Sequence, residues 1–275
     1  MSENENVIPY LDKGYVRHVA SNGDDELIAT FARASFDEDA YQDPDKNRNL
    51  INHLVDEEHT SPIEAGELIF QFKLPLFVRD QLVRHRTASM NIQSLRYSKH
   101  DGDYYIPELD RFRQQGKWNK QESGDLMQED DAVLSREYMI LHSKMCYSVY
   151  ERLIGWGLSR ETARLVIPTN FFVTMAWKCD TKNLMHFLRL RDDPHAQWEI
   201  RQLAKIISSF FERDFPMTYA AYEEFIKHSR KVARTELEIL RELLADVTDE
   251  KIDQMCSDRK IGVRRTRKLK ELIRG

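Results

Sequence analysis

Cysteine is scarce in this chain, and so are most of the devices that announce a chemistry. Three cysteines in 275 residues, Cys146, Cys179 and Cys256, stand far apart, odd in number and without a CxxC pair. That spacing excludes a disulfide framework and a thiolate zinc site, and leaves buried or half-buried thiols. There is no Walker A loop and no glycine-rich dinucleotide fingerprint, so any bound phosphate must be held by side chains. No HExxH or HxH pair offers a metal site, and no serine or cysteine lies in a nucleophile elbow. No apolar run approaches the roughly 20 residues that cross a bilayer. The polar, acidic residues 1–6 lack a signal-peptide core, so the expectation is a soluble, cytoplasmic protein with no membrane contact. Net charge is -5, which excludes a basic nucleic-acid coat, while 41% hydrophobic residues suffice for a real core.

What the chain does have is a knot of positive charge. Residues 84–97 read Arg84-His85-Arg86-Thr87-Ala88-Ser89-Met90-Asn91-Ile92-Gln93-Ser94-Leu95-Arg96-Tyr97. They follow an amphipathic helix pattern over residues 75–83. Such a cluster is costly to desolvate without anions. By itself it is either a solvated basic loop or a pocket for phosphate. A second polar segment covers residues 180–199, where Leu184, Phe187, Leu188 and Arg191 fall at i, i+3, i+4 and i+7. Arg191 therefore sits near the apolar face of a helix, where a guanidinium needs a partner. Arginine forks are the side chains best suited to phosphate, and Arg84, Arg86, Arg96, Arg164, Arg189 and Arg191 are the candidates.

Around these segments the pattern predicts a mixed α/β (α+β) fold, a central sheet flanked by helices. Residues 1–10 read as a loose tail. Strands are expected at 15–19, 67–73 and 171–177, with a short one at 104–106. Helices are expected at 26–35, 49–57, 135–153, 160–166, from 180 or 181 to 189, 195–213 and 219–226, with Asp193-Pro194 as a helix start. Residues 37–47 read as an acidic loop and 111–131 as a surface insertion. From residue 227 a charged helical extension begins, strongly basic over 259–274.

Several segments together resemble the flavin-dependent thymidylate synthases. Arg84-His85-Arg86, seven residues, Ser94 and then Arg96-Tyr97 is similar to the signature of that family. Leu11-Asp12-Lys13-Gly14-Tyr15, Ala32-Arg33-Ala34-Ser35, His59-Thr60-Ser61-Pro62, 163–168 and 183–191 match family segments in order, as does Pro194-His195-Ala196-Gln197-Trp198-Glu199-Ile200-Arg201. Coverage is residues 11–226. The resemblance implies synthesis of dTMP from dUMP, with carbon from methylenetetrahydrofolate and hydride from FAD regenerated by NADPH. It also implies a homotetramer with active sites at subunit interfaces, and no nucleic-acid partner. It implies dUMP contacts at Gln81, Arg84, Ser94, Leu95 (through its backbone), Arg96, Arg164 and Arg191, with Arg191 as the catalytic cation at the uracil ring. For FAD it implies Ser35, His59, Ser61, Arg84, His85, Arg86, Asp180, Lys182 and His186. No metal is expected.

Three departures accompany the resemblance, one being that residues 111–131 and the tail after Lys227 are extra or poorly matched. Ile92 stands where many members have Glu. Asp180 and Lys182 stand where others have Asn and Arg, and an Asp facing flavin phosphate would repel it, so Asp180 is expected to cap a helix instead. Two other readings rest on single features: His100-Asp101 as the HD pair of a metal-dependent nucleotide phosphohydrolase, and the basic residues 259–274 as a nucleic-acid contact.

Overall fold

The computed structural model describes residues 6–34, 43–117 and 123–274, and the chain divides into two compact units, 1–227 and 228–275. Unit 1 opens with β1 (Val7–Tyr10) and β2 (Gly14–Asn22), joined by a turn in which Leu11 takes φ 54°. Gly14 lies so close to the Lys73 and Tyr10 carbonyls that any Cβ there would collide. Next come α1 (Asp25–Arg33), capped by Asp24, and α2 (Pro44–Asp56), capped by Asp43. β3 (Glu67–Pro75) leads directly into α3 (Leu76–Leu82). β4 (Ser89–Ile92), β5 (Arg113–Gln115) and β6 (Ser123–Leu126) follow, then the long α4 (Glu129–Gly155) and the short α5 (Arg160–Ala163). β7 (Phe172–Asp180), α6 (Thr181–Arg191), α7 (Trp198–Asp214) and α8 (Pro216–Tyr222) complete the unit, with a π-turn at Glu223–Lys227.

The main sheet has the order β1-β2-β3-β7-β4, and every pairing is antiparallel, so the fold is α+β. The two central strands, β3 and β7, follow the period of two. Leu68, Phe70, Phe72 and Leu74 of β3 are buried with Val173, Met175, Trp177 and Cys179 of β7. They belong to one core with Leu184, Phe187 and Leu188 of α6 and Leu203, Ile207, Phe210 and Phe211 of α7. Each such side chain stabilises the fold by roughly 1.5–3 kcal/mol when fully buried. The alternate residues of these strands carry polar contacts: Lys178 pairs with Glu67, and Gln71 accepts from Arg17 of β2.

Several expectations need correction. Residues 7–10 are not a loose tail but an edge strand, with Ile8 opposite Val16. The acidic loop ends sooner, because Pro44 supplies the first turn of α2. Pro75 is the N-cap of α3 rather than part of its first turn. In the 111–131 insertion, β5 and β6 pair as a small antiparallel sheet. The helix expected from residue 195 starts at Trp198, because Asp193 spends Oδ1 on the backbone N–H and ring of His195 instead of capping.

Helix α4 is predicted correctly as a helix, but its regular apolar stripe is not buried. Leu134, Tyr138, Leu141, Met145 and Val149 are between 41% and 64% exposed. The helix is tied down from the other side, where Ser143 accepts from Asn170 and the Tyr150 hydroxyl accepts from the His100 N–H.

Unit 2 is helical: α9 (Arg234–Leu243), α10 (Asp249–Asp258) and α11 (Val263–Arg274). Lys270 pairs with Asp249 and Asp253, and Arg241 donates to the Leu272 carbonyl. Part of the basic charge of α11 is therefore balanced inside this unit.

Candidate active site

The arginine stretch is more ordered than a loop. After α3 the chain turns tightly, with the His85 N–H on the Leu82 carbonyl, 3.0 Å, and the Ala88 N–H on the His85 carbonyl, 3.3 Å. This turn exposes Arg84 and Arg86 and buries His85 between them, 8% exposed. β4 then pairs with β7, placing Ile92 opposite Met175. The Ile92 side chain packs against the core, so this apolar replacement has an apolar setting.

His85 meets Arg191, 106 residues later. Arg191 Nε donates to His85 Nε2 at 3.1 Å, and Nη2 donates to the Gln81 carbonyl at 3.4 Å. The His85 ring stands edge-on to Phe187, 4.9 Å between centroids. Burial, then the positive charge of Arg191, then His186, push the His85 pKa down to about 4. At neutral pH the ring is therefore uncharged, and Nε2 can accept from the guanidinium only if the ring proton is on Nδ1. Burial also lowers the Arg191 pKa, as expected of a cation held partly away from water. Gln81, Arg191 and His85 thus form one fixed group. His186 lies beside it, exposed, its ring 6.2 Å from that of His85 and its Nδ1 3.4 Å from Arg189 Nη2. Its pKa is lowered by burial, Arg189 and Lys182.

Ser94, Leu95, Arg96 and Arg164 form a second group. The Ser94 carbonyl accepts from the N–H groups of Tyr97 and Ser98, making a tight turn over the buried Leu95. Arg96 Nη2 pairs with Glu161 at 2.7 Å, and Arg164 Nε donates to the Glu161 carbonyl at 3.3 Å. Tyr97 and Leu165, 80% and 77% exposed, flank these arginines. Among the described residues, no hydrogen bond or ion pair joins this group to the first.

The remaining flavin candidates line the start of α6 and the turn before β3. Asp180 caps α6, with Oδ1 accepting from the Asn183 N–H at 2.8 Å and Oδ2 from its side-chain amide at 2.7 Å. Lys182 pairs with Glu64 at 2.9 Å, in the 3-10 turn Pro62–Ala65 that Ser61 precedes. His59 is exposed, with its ring 5.8 Å from that of His53. Ser35 lies outside the described residues.

The HD pair fails as a metal site. His100 is 2% exposed, its Nε2 lies 2.7 Å from the Phe172 carbonyl, and its Nδ1 accepts from the Gly102 N–H at 2.8 Å. Both ring nitrogens are consumed by backbone, and Asp101 pairs with Lys73. No cluster of three metal-ligating side chains occurs among the described residues. The Cys179 thiol, buried beside Asp180 and Glu67, has its pKa pushed far up and is no nucleophile.

Two residues without an expected role join the site. Gln81 Nε2 donates to Gln197 Oε1 at 2.6 Å, and Gln197 Nε2 donates to Glu199 Oε2 at 2.9 Å. Glu199 is buried, and it also accepts from the Tyr105 hydroxyl at 3.3 Å on Oε1 and from the Tyr10 hydroxyl at 2.8 Å on its backbone carbonyl. Burial, then the charge of Glu199, raise the pKa of both tyrosines, so they remain donors. The matching block over residues 194–201 was the available signal, but nothing local in it points to Gln81.

Comparison with known proteins shows the family of the chain. Residues 17–217 match the sequence model of the family described as Thymidylate synthase complementing protein. The chain is 40% identical over 269 residues to the flavin-dependent thymidylate synthase of Thermus thermophilus, covering 98% of this chain and 96% of that protein. It belongs to the flavin-dependent thymidylate synthase family. A second relative, the flavin-dependent thymidylate synthase of Ehrlichia ruminantium, is 38% identical over 263 residues, covering 96% of this chain and 86% of that protein. A solved structure of the UMP/dUMP methylase PolB from Streptomyces cacaoi, bound with 5-Br dUMP, superposes with a TM-score of 0.73 at 31% identity, covering 81% of this chain and all of that one. The match to the Thermus protein leaves too few residues over to exclude 228–275. The family likeness therefore runs past residue 226, where the motifs alone stop, into unit 2.

Proposed function

We propose that the protein makes dTMP from dUMP, taking its carbon from methylenetetrahydrofolate and its hydride from FAD that NADPH reduces again. Family membership, together with a neighbour solved with a dUMP analogue, supports the substrate. The observation that carries the mechanism is the desolvated Arg191 guanidinium, fixed by neutral His85 and the Gln81 carbonyl. Among the described residues its Nη1 has no hydrogen-bond partner. A cation fixed in that way lowers the cost of the negative charge that develops on a uracil ring as N3 ionises, and an ionised ring is the better carbon nucleophile at C5. The enzyme then needs no thiol attack on the ring, in keeping with the inert Cys179.

The other groups bind and orient. Arg84, Ser94, Arg96 and Arg164, with the Leu95 backbone, suit the phosphate of dUMP. Arg84 and Arg86 are exposed with no carboxylate partner among the described residues, and Asp180 turns both oxygens to Asn183. The set His59, Ser61, Arg84, His85, Arg86, Lys182 and His186, with Ser35, therefore fits a flavin with its pyrophosphate. When bound, the flavin supplies the hydride.

The functional unit we propose is a homotetramer in the cytoplasm, with each site completed by another subunit. Two observations support it. The arginines split into groups that one chain leaves apart, and the stripe from Leu134 to Val149 presents a long apolar surface to water. Purified protein should be yellow and should oxidise NADPH and form dTMP only when dUMP and methylenetetrahydrofolate are present. Protein that takes up no flavin at any FAD concentration overturns this reading. Replacing Leu141 and Met145 together by Glu should give monomers on light scattering.

A further inference from the structure

The block 194–201 and the small sheet β5-β6 enclose a polar cleft of about 550 Å³ in unit 1, lined by Arg111, Arg113, His195, Trp198, Glu199 and Arg201 among others. The nucleotide and flavin contacts proposed above do not use it. We propose that this cleft holds the 2′-phosphate of the nicotinamide reductant and so selects NADPH over NADH. The inference rests on the reading that a nicotinamide nucleotide is the reductant.

The charge balance of the cleft is cationic. Among the described lining residues Glu199 is the acidic one, and its two oxygens already accept from Tyr105 and Gln197. The neighbouring Asp193 is engaged by His195. Against these stand three guanidiniums, each anchored and each with nitrogens to spare. Arg111 stacks over Trp198 at 4.8 Å. Arg201 Nη1 donates to the Pro194 carbonyl at 2.9 Å, and Arg113 Nη1 donates to the Gly124 carbonyl at 3.3 Å. The Nε atoms of Arg111 and Arg201 are buried without a partner among the described residues. Partly desolvated cations with unmet donors are costly unless an anion joins them.

A phosphate monoester is the anion this chemistry suits. It carries up to two charges and three acceptor oxygens, and arginine is the side chain that accommodates a 2′-phosphate in NADP-dependent proteins. A hydrogen-bond chain links the wall of the cleft to the Arg191 group. Gln197, in its wall, hydrogen-bonds Gln81, whose carbonyl holds Arg191. Of the ligands the reaction needs, the reductant and the folate are the two to which no residue above is assigned, and of these two the reductant is the one that carries a phosphate monoester.

The test is calorimetric titration of the flavin-loaded protein, saturated with dUMP, by adenosine 2′,5′-bisphosphate and by adenosine 5′-monophosphate. The bisphosphate should bind at least about tenfold more tightly, and Arg201→Gln or Arg113→Gln should each remove roughly tenfold of that preference. Stopped-flow reduction of the flavin should lose NADPH-over-NADH selectivity in the same variants. Arg113 is exposed on the short β5, so its variant keeps the test open should Arg201→Gln fail to fold. Equal affinity of the two nucleotides in the wild type, or an unchanged preference in Arg113→Gln, overturns the proposal. So does bisphosphate binding that appears only when dUMP is left out, which would assign the cleft to the substrate. The underlying reading fails separately, through protein that holds no flavin or makes no dTMP.

Discussion

His85 and His100 are both buried, both lie beside motifs that suggest chemistry, and both have their pKa lowered chiefly by burial. Their partners differ. His100 spends both nitrogens on backbone, at Phe172 and Gly102, and its Asp neighbour on Lys73. His85 presents a nitrogen to the side chain of Arg191. The first histidine fastens loop 100–105 to β7. The second aims a cation. A motif of two residues reports neither; what separates scaffold from site is whether the histidine's partner can itself touch a ligand.

The largest effect expected from this contrast belongs to the aimed group. Arg191→Ala should lower dTMP formation by about three orders of magnitude, the scale of losing a fixed charge-stabilising donor. Arg191→Lys should recover little, because an ammonium has no Nε edge to place against His85 while facing a ring. Steady-state assays with protein of verified flavin content would show both.

His85→Phe keeps the ring packing against Phe187 but removes the acceptor. Misaiming a catalytic group costs roughly 10- to 100-fold, and here the loss should fall on kcat more than on KM for dUMP. A variant with wild-type kcat would reduce His85 to scaffold, like His100.

His100→Ala should do the reverse. It leaves a cavity and unpaired backbone groups, at a cost of about 2–4 kcal/mol. Chemical denaturation should reveal that loss, while kcat per folded subunit stays within about twofold. Dependence on added divalent metal, abolished in this variant, would revive the phosphohydrolase reading.

The last contrast is a pH dependence. A histidine whose folded pKa lies below its unfolded value of 6.5 contributes stability that is whole above 6.5. As pH falls toward the folded value, the unfolded state takes up protons first, and that stability is lost. For His85 the window runs from 6.5 down to about 4 and amounts to something on the order of 3 kcal/mol. His100 acts in the same direction. His85→Phe should flatten part of the slope in that window when denaturation midpoints are compared across pH.

What the sequence made legible was local or periodic. The Asp180 cap was readable because its partner lies three residues on, and β3 and β7 because their side chains alternate. The long apolar stripe of α4 marked a helix but not which side of it the chain would bury, since the spacing of apolar residues defines a face and not what covers it. The four residues of β1 are too few to show a pattern, and they become a strand only against β2. Asp193-Pro194 imitated a helix start until His195 claimed the carboxylate. The family signature supplied the candidate site residues, but not that Arg191 would rest on His85 or that Gln197 would bridge Gln81 to Glu199. Those contacts close over 100 residues or more of intervening chain for two of the three pairs, and no spacing rule encodes them.

The central claim is that a neutral His85 holds Arg191 in place through Nε2. Nitrogen-15 NMR of histidine-labelled protein, with the His85 resonance assigned by its loss in His85→Phe, tests it most directly. The account predicts the Nδ1–H tautomer at neutral pH, titrating near pH 4, with the midpoint moving upward in Arg191→Ala as the adjacent positive charge is removed. A His85 ring protonated on Nε2 at neutral pH, or a midpoint that ignores Arg191, would contradict it.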